Sequence, residues 1–210
     1  MVEANRRMTP TPGRTALAII DMQNAFCHDD GSMAKLGLDI TMLKAAIDPC
    51  RRLLIAARRA ELPVIHTRIL YRTDYADGGL SISHMMPEMV AIKSLAAKTW
   101  DIEIVDELKP ADTETVIDKN RFSAFYAPDL ESTLKKRSID SLVVCGVTTN
   151  CCVESTVRDA FQRNYKTFVV KDAVGELEAF RHEASLKTMA FLFADLVSVD
   201  EMTASWNKCE

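Results

Sequence analysis

Short apolar runs alternate with longer amphipathic segments along most of the chain. Helical spacing of apolar positions predicts helices over Leu43–Arg59, Pro128–Lys136, Cys151–Asn164 and Ala179–Ala194. The runs of strand length are Thr15–Asp21, Pro63–Thr67, Thr115–Asp118, Ser141–Val147, Thr167–Lys171 and Leu196–Val199. Apolar strands separated by helices are typical of parallel βαβ units. The pattern therefore predicts an α/β fold, a three-layer αβα sandwich around a central, mostly parallel six-stranded sheet.

Two segments do not follow this alternation. Residues 1–14 are polar, and we expect them to form a mobile N-terminal arm in front of a single domain over residues 15–205. Leu70–Ser83 is also polar, contains the pair Gly78-Gly79 and has no clear periodicity. Polar segments of this length that follow a strand often carry function, so we expect a loop at the mouth of a site.

Charge and hydropathy narrow the classes of partner. The formal net charge is −4, and lysine and arginine are spread along the chain, which gives no basic patch for nucleic acid or an anionic membrane. No run reaches the roughly 18 apolar residues of a membrane helix, and the first residues lack the apolar centre of a signal peptide. We therefore expect a cytoplasmic protein whose partner is a small molecule.

The cysteines and histidines show no pattern of metal ligands. The six cysteines contain no CxxC pair and no Cys/His spacing suited to zinc, and the four histidines are scattered. His66 is expected to be an ordinary strand residue. Neither a G-x-G-x-x-G nor a G-x-x-x-x-G-K-[ST] loop is present for a nucleotide. These observations predict a protein that works without a metal or cofactor.

An acid, a cation and a thiol follow the predicted strands. Asp21 ends the first strand, Lys119 follows the third, and Val147–Cys152 connect the fourth strand to its helix. Ligands bind outside the carboxyl ends of the strands in open parallel sheets. We therefore expect these groups to meet at one edge of the sheet, although Asp21 could simply cap a helix and Lys119 could face solvent.

The connection after the fourth strand suits a nucleophile. Free N–H groups and the positive end of the helix dipole stabilise a thiolate, which predicts a lowered pKa for a cysteine there. The same N–H groups can hold the oxyanion of a tetrahedral intermediate. Cys151 and Cys152 project about 100° apart on a helix, so only one faces the substrate, and position alone does not decide which. A carboxylate could take the thiol proton, and a lysine would favour both ionised forms.

These residues stand in motifs that resemble the isochorismatase-like cysteine hydrolase family. The motifs are D-M-Q-N from Asp21, V-I-D-K ending at Lys119, and G-V-T-T-N-C-C-V-E-S-T from Gly146. The resemblance implies that Cys152, the cysteine followed by valine, is the nucleophile. It also implies a cis peptide between Val147 and Thr148, which directs the Thr148 N–H at the oxyanion together with that of Cys152.

The retained thiol implies the amidohydrolase branch of the family, which forms a thioester, rather than the branch that cleaves a vinyl ether. Ala97–Pro110, Lys119–Phe125 and Cys152–Ala160 resemble ureidoacrylate amidohydrolases, whereas His66–Asp74 is more similar to biuret hydrolases and N-carbamoylsarcosine amidases. Maleamate is a further possible substrate. The resemblance implies a homo-oligomer, a dimer or tetramer, and assigns the substrate pocket to Asn24, Arg68, Trp100, Phe122 and Tyr126. A thiol-redox or binding protein without hydrolysis, and an idle structural subunit, are the alternatives.

Overall fold

The central element of the fold is a sheet of six parallel strands. The structure, a computed structural model, describes residues 8–206. Within these residues the strands are β1 (Thr15–Ile20), β2 (Val64–Ile69), β3 (Thr115–Lys119), β4 (Ser141–Val147), β5 (Lys166–Gly175) and β6 (Asp195–Val197). Their spatial order is β3-β2-β1-β4-β5-β6, and every pair is parallel. The predicted α/β fold class is confirmed.

Helices cover both faces of the sheet. The α-helices of the described part are α1 (Asn24–Cys27), α2 (Ser32–Lys35), α3 (Thr41–Ala45), α4 (Ile47–Arg59), α5 (Glu88–Ala91), α6 (Pro128–Lys136), α7 (Glu154–Gln162), α8 (Ala179–Thr188) and α9 (Val199–Trp206). Helices α4 and α9 pack together. Because β1 to β2 and β4 to β5 run in opposite directions across the sheet, right-handed crossovers place α4 and α7 on opposite faces.

Short 3-10 and π turns fill several connections. The 3-10 turns are Trp100–Ile102, Asp106–Leu108 and Ala124–Tyr126, and the π turns are Ser81–Met85, Thr149–Val153 and Met189–Phe193. The predicted loop over residues 70–83 is therefore irregular only at first and then enters a π turn. The predicted helix from residue 151 instead begins as a π turn at Thr149 and continues as α7.

Residues 8–14 of the predicted arm contact the sheet. The Met8 N–H donates to Asp195 at 2.5 Å, and the Thr11 N–H donates to the Ser141 hydroxyl at 3.1 Å. Residues 1–7 of that predicted arm lie outside the described part of the chain. The division into an arm and one domain over residues 15–205 stays a prediction.

The core lies on both sides of the two central strands. All six residues of β1 and all seven of β4 are buried, because helices on both faces exclude water from a parallel sheet. Fully buried side chains from the two strands include Leu17, Ile19 and Val143. This rigid centre places the residues that follow β1 and β4 at defined positions.

The strand order reverses between β1 and β4, where a site is expected in an open α/β sheet. The two strands approach closely there, with Ile20 in register with Gly146. Gly146 has a φ of 110°, and a Cβ on it would lie 2.1 Å from the Ile20 carbonyl oxygen. Only glycine fits this position, which brings the segment after β4 next to the one after β1.

Candidate active site

Asp21, Lys119 and Cys152 meet at the carboxyl edge of the sheet. The Lys119 Nζ lies 2.6 Å from the Asp21 Oδ2 and 3.4 Å from the Cys152 Sγ. It also donates to the main-chain carbonyl of Arg121 at 3.1 Å. Both ionic side chains are 0% exposed, and Cys152 is 4% exposed. The three groups that sequence reasoning placed on one edge are therefore in direct contact through the ammonium of Lys119.

Neighbouring strands orient the carboxylate of Asp21. The residue has a φ of 49°, which ends β1 and turns the chain. The Thr67 hydroxyl, on β2, donates to the Asp21 Oδ1 at 2.6 Å. Gln23 holds the turn after β1 against β2, since its side chain accepts from the Ile69 N–H at 2.8 Å and donates to the Ile69 carbonyl at 3.0 Å. One carboxylate oxygen thus faces a hydroxyl, and the other faces the ammonium.

The turn that carries Cys152 is anchored to the end of β5. The Val147–Thr148 peptide is cis. The Thr149 hydroxyl donates to the Gly175 carbonyl at 2.9 Å, and the Asn150 N–H donates to the Glu176 carboxylate at 3.0 Å. These bonds attach the turn to two residues at the same edge of the sheet. They fix the position of the main chain that presents the thiol.

Burial reverses the pKa direction that the helix-terminus argument predicted for the thiol. Burial raises the pKa of Cys152 well above its ordinary value; the Lys119 ammonium opposes this, and the Asp21 carboxylate adds to it. For Lys119, burial alone would lower the pKa, but Asp21 and Cys152 raise it overall. The resting site therefore holds a neutral thiol beside a charged ammonium, and the thiol needs a base before it can react.

The structure distinguishes between the two adjacent cysteines. Cys151 is half-buried, and its pKa is raised by burial and then by the carboxylate of Glu176. Only Cys152 has its sulfur in contact with Lys119. The five cysteines among residues 8–206 are all free thiols, and Cys209 lies outside the described part. The contact with Lys119 thus distinguishes Cys152 from Cys151, and the role of Cys152 as nucleophile stays a prediction.

The five residues that the resemblance assigned to the substrate pocket do not form one group. Asn24, Arg68 and Trp100 line a cavity of about 310 Å³, where the Asn24 amide donates to the Trp100 carbonyl at 3.0 Å. Tyr126 lines a different cavity of about 290 Å³ together with Lys119. Phe122 is 41% exposed.

Arg68 is paired with a carboxylate on the face of the sheet opposite to that of Thr67. Side chains alternate between the two faces along a strand, and Thr67 occupies the face that reaches Asp21. Arg68 therefore projects to the other face, where its register partner is Asp118. Its guanidinium binds the Asp118 carboxylate at 2.7 and 2.9 Å. The guanidinium thus has a carboxylate partner in the structure, and its contact with a substrate stays a prediction.

Sequence reasoning missed Glu176, a buried carboxylate at the edge of the site. It is 2% exposed and accepts the N–H groups of Asn150 at 3.0 Å and Leu177 at 2.9 Å. Its position directly after β5 is the signal that the strand-end rule could have used. The predicted strand ended at Lys171, however, so the rule was applied four residues too early.

Residues 8–206 contain no group of three or more histidine, cysteine, aspartate or glutamate side chains placed to hold a metal ion. No helix among them combines the length and the apolar character that crossing a membrane requires. His66, the expected strand residue, is buried in β2 and contacts the Glu114 carboxylate at 3.1 Å.

Comparison with known proteins assigns the family. The sequence profile of the isochorismatase domain matches residues 15–201. The chain belongs to the isochorismatase family. It is 33% identical to a protein from Rhizobium rhizogenes (strain K84 / ATCC BAA-868) named ureidoacrylate amidohydrolase RutB, over 94% of this chain and 85% of that one. The predicted family and the predicted hydrolase class are confirmed.

Solved structures support the same assignment. A cysteine hydrolase from Pseudomonas syringae pv. phaseolicola 1448A superposes with a TM-score of 0.90 at 30% identity, over 100% of both chains. N-carbamoylsarcosine amidase from Thermoplasma acidophilum superposes with a TM-score of 0.71 at 25% identity, over 89% of this chain and 97% of that one. Both solved structures align with most of this chain, 100% and 89% of it, and therefore share its fold.

Proposed function

We propose that this family member is a cysteine amidohydrolase that cleaves a carbonyl C–N bond of a small ureido or carbamoyl substrate without a metal. The observation that carries the proposal is the contact of one buried ammonium, on Lys119, with both a carboxylate and a thiol. Such a cluster couples a nucleophile to a base in a buried site. Ureidoacrylate is the substrate we favour.

The reaction starts with proton transfer from Cys152 to Asp21. The thiolate attacks the substrate carbonyl carbon, a C–S bond forms, and the π electrons of the carbonyl move to its oxygen. When the tetrahedral intermediate collapses, the C–N bond breaks and the Asp21 carboxylic acid protonates the departing nitrogen. Ammonia or an amine leaves, and a thioester remains. Asp21 then takes a proton from water, whose oxygen cleaves the thioester and releases the thiolate, which recovers the proton from Asp21.

Lys119 and the turn that carries Cys152 stabilise the negative charges of the reaction. The Lys119 ammonium compensates the negative charge wherever it lies on Asp21 or Cys152. The N–H groups of Thr148 and Cys152 hold the oxyanion of the tetrahedral intermediate. A donor of this kind commonly contributes about 3 kcal/mol to transition-state stabilisation.

The substrate class rests on the relatives. One is named ureidoacrylate amidohydrolase and is 33% identical over nearly the whole chain, and another is named N-carbamoylsarcosine amidase. The compound in each name carries a carbamoyl group attached to nitrogen. Biuret, N-carbamoylsarcosine and maleamate are the alternative substrates of the same reaction class.

An ammonia-release screen over these four compounds and nicotinamide tests the proposal. Wild-type protein should release ammonia fastest from ureidoacrylate. Cys152→Ala should abolish turnover and keep the fold, whereas Cys151→Ala, the matched control, should be nearly silent. Activity of C152A above a few per cent of wild type, or loss of activity in C151A, would refute the mechanism. Reversible thiol oxidation without ammonia release from any compound would favour the redox alternative.

Two further expectations accompany the proposal. A reactive reduced thiol suits the cytoplasm, where thiols are kept reduced. We also expect a homodimer or homotetramer, and gel filtration with light scattering would measure it.

A further inference from the structure

The buried hydroxyl of Thr156 connects the segment after β3 with the start of α7. Thr156 is 0% exposed and lies four residues after Cys152. Its hydroxyl donates to the Cys152 main-chain carbonyl at 2.7 Å and accepts from the Ala124 N–H at 3.0 Å. The first bond is a common one for threonine in a helix. The second joins two elements that are distant in sequence.

The Lys119 ammonium has three N–H donors and three contacts in the site. They are the Asp21 Oδ2 at 2.6 Å, the Arg121 carbonyl at 3.1 Å and the Cys152 Sγ at 3.4 Å. Arg121 lies three residues before Ala124, in the segment that Thr156 binds. Cys152 is itself bound by Thr156 through its main-chain carbonyl. One side chain is therefore attached to the segments that present two of the three partners of the ammonium.

Asp159 supports the same connection one turn further along α7. The Ser123 hydroxyl donates to the Asp159 carboxylate and accepts from the Phe125 N–H at 3.2 Å. Residues three apart lie on the same side of a helix, so α7 holds two consecutive residues of the segment after β3. The Ser123 bond is partly buried, whereas both bonds of Thr156 are fully buried. Loss of the Thr156 hydroxyl therefore leaves buried main-chain groups unpaired, which is costly.

We propose that Thr156 is a positioning residue that sets the distance between the Lys119 ammonium and the Cys152 thiol. The inference rests on the proposed hydrolysis, in which that ammonium compensates the charge of the thiolate. The Thr156 hydroxyl contacts the main chain of Cys152 and not its sulfur. Its effect is therefore exerted through the position of the reacting groups.

The charges around the thiol determine the size of the expected effect. The Lys119 ammonium lowers the pKa of Cys152 against burial, the Asp21 carboxylate raises it, and the Tyr71 phenol is a further titratable neighbour. If the ammonium and the sulfur were about 1 Å further apart, their weaker attraction at an effective dielectric constant of about 20 would lower the thiolate population about sixfold. A substitution at Thr156 changes none of these groups, so a change in thiol reactivity reports their positions.

Kinetics of Thr156→Val test the role, because valine keeps the branched shape and removes both hydrogen bonds. The kcat for ureidoacrylate, per mole of active site, should fall about sixfold, in line with the smaller thiolate population. KM should change little, because the lost stabilisation belongs to the transition state. Thr156→Ser keeps the hydroxyl and should restore kcat. A loss of stability alone would lower the melting temperature and leave kcat at the wild-type value.

Alkylation of Cys152 provides a measurement that does not need turnover. Iodoacetamide reacts with the thiolate rather than the thiol. The labelling rate of Cys152 in a Cys151→Ala background, measured across pH by mass spectrometry, should be about sixfold lower in Thr156→Val. The pH profile should move to higher pH, because the thiolate has lost part of its stabilisation. A substitution that merely opened the site would instead raise the labelling rate at every pH.

Two controls match the two properties of Thr156. The Thr188 hydroxyl also donates to a carbonyl four residues earlier, that of Ala184 at 2.9 Å, but on the exposed surface of α8. Thr188→Val should therefore leave kcat and labelling unchanged. Ser141 is buried at the amino end of β4, where its hydroxyl accepts from the Thr11 N–H at 3.1 Å. Ser141→Ala should lower the melting temperature and also leave kcat and labelling unchanged.

The outcomes separate the positioning role from the proposed function. Unchanged or faster labelling in Thr156→Val, a wild-type kcat in that variant, or no recovery in Thr156→Ser would overturn the role. If Thr156→Val does not fold, Ser123→Ala loosens the same segment and should slow labelling to a smaller extent; an unchanged rate there would also overturn it. If the wild type releases no ammonia from any compound, the proposed function fails, and the labelling rates still decide the inference.

Discussion

Removing one partner of the buried ion pair should destabilise the protein far more than removing both. The Lys119 ammonium and the Asp21 carboxylate lie 2.6 Å apart, and both side chains are 0% exposed. With an effective dielectric constant of about 20, their Coulomb attraction is about 6 kcal/mol. The loss of hydration costs several kcal/mol for each ion. The pair therefore contributes little net stability, although each charge alone is strongly unfavourable.

We expect Lys119→Met to lower the free energy of unfolding by about 3–5 kcal/mol, because it leaves a buried carboxylate uncompensated. Asp21→Asn should have an effect of similar size, because it leaves the ammonium without its counter-charge. The double variant should lose less than either single variant, since no charge remains in the interior. Urea unfolding followed by circular dichroism at neutral pH measures all four proteins.

An exposed pair of nearly the same length provides the control. Lys44 and Asp29 also approach to 2.7 Å, but their side chains are 42% and 75% exposed. The equivalent cycle with Lys44→Met and Asp29→Asn should show a much smaller coupling energy, because water screens both charges. If the two cycles gave equal coupling, or if the buried double variant lost the sum of the single losses, the reasoning from burial would be refuted.

Three further predictions follow from other residues. Gly146→Ala should abolish folding or lower the free energy of unfolding by more than about 4 kcal/mol, because the new Cβ would lie 2.1 Å from a carbonyl oxygen. The control is Gly37→Ala, also at a positive φ but with open space around it, which should lower that free energy far less when both are measured by urea unfolding. Burial alone would raise the pKa of Glu114, but the hydrogen bonds from Arg58, Ala111 and His66, together with the Arg58 charge, outweigh burial and hold it at about 2. The stability that this carboxylate contributes is present above the ordinary value of 4.5 and is lost as pH falls toward 2, so Glu114→Gln should unfold with a shallower pH dependence over that window. Glu176→Gln should speed iodoacetamide labelling of Cys151 in a Cys152→Ala background, since the Glu176 carboxylate raises the pKa of that thiol. An unchanged labelling rate, measured by mass spectrometry, would contradict this effect of the Glu176 charge.

The strands and the central cluster could be predicted because each depends on local sequence. Apolar runs marked every strand, and the rule that ligands bind at strand ends selected Asp21, Lys119 and the segment around Cys152. The alternation of buried strands and amphipathic helices fixes which ends of the strands share an edge. No long-range information is needed for that step.

The features that the sequence did not reveal have a common physical cause, which is interaction between residues distant in sequence. The ion pair of Arg68 with Asp118 depends on the register between β2 and β3, which joins residues fifty positions apart. The end of β5 was misplaced because Lys171 and Asp172 interrupt its apolar run, at a point where the register with β4 shifts between Val144 and Gly146. Strands that are buried on both faces read as continuous apolar runs rather than alternating ones, so their sequence does not reveal their register.

The direction of the pKa shift of the Cys152 thiol could not be predicted from local sequence either, and it constrains where the thiol proton can go. The helix dipole is a local property and could be deduced from sequence, whereas burial depends on the whole fold and determines the sign of the shift at Cys152. A thiolate beside an ionised Asp21 would leave a net negative charge in a buried site, which is strongly unfavourable. The proton that leaves Cys152 therefore has to stay within the cluster, on Asp21.

The position of Lys119 keeps the free-energy change of proton transfer from Cys152 to Asp21 small. Its ammonium lies 2.6 Å from the Asp21 oxygen and 3.4 Å from the Cys152 sulfur, so the negative charge stays in contact with the same cation on either atom. At an effective dielectric constant of about 20, the Coulomb attraction differs by only about 1.5 kcal/mol between these distances. The cluster can thus ionise its nucleophile when substrate arrives, while its net charge stays at zero throughout.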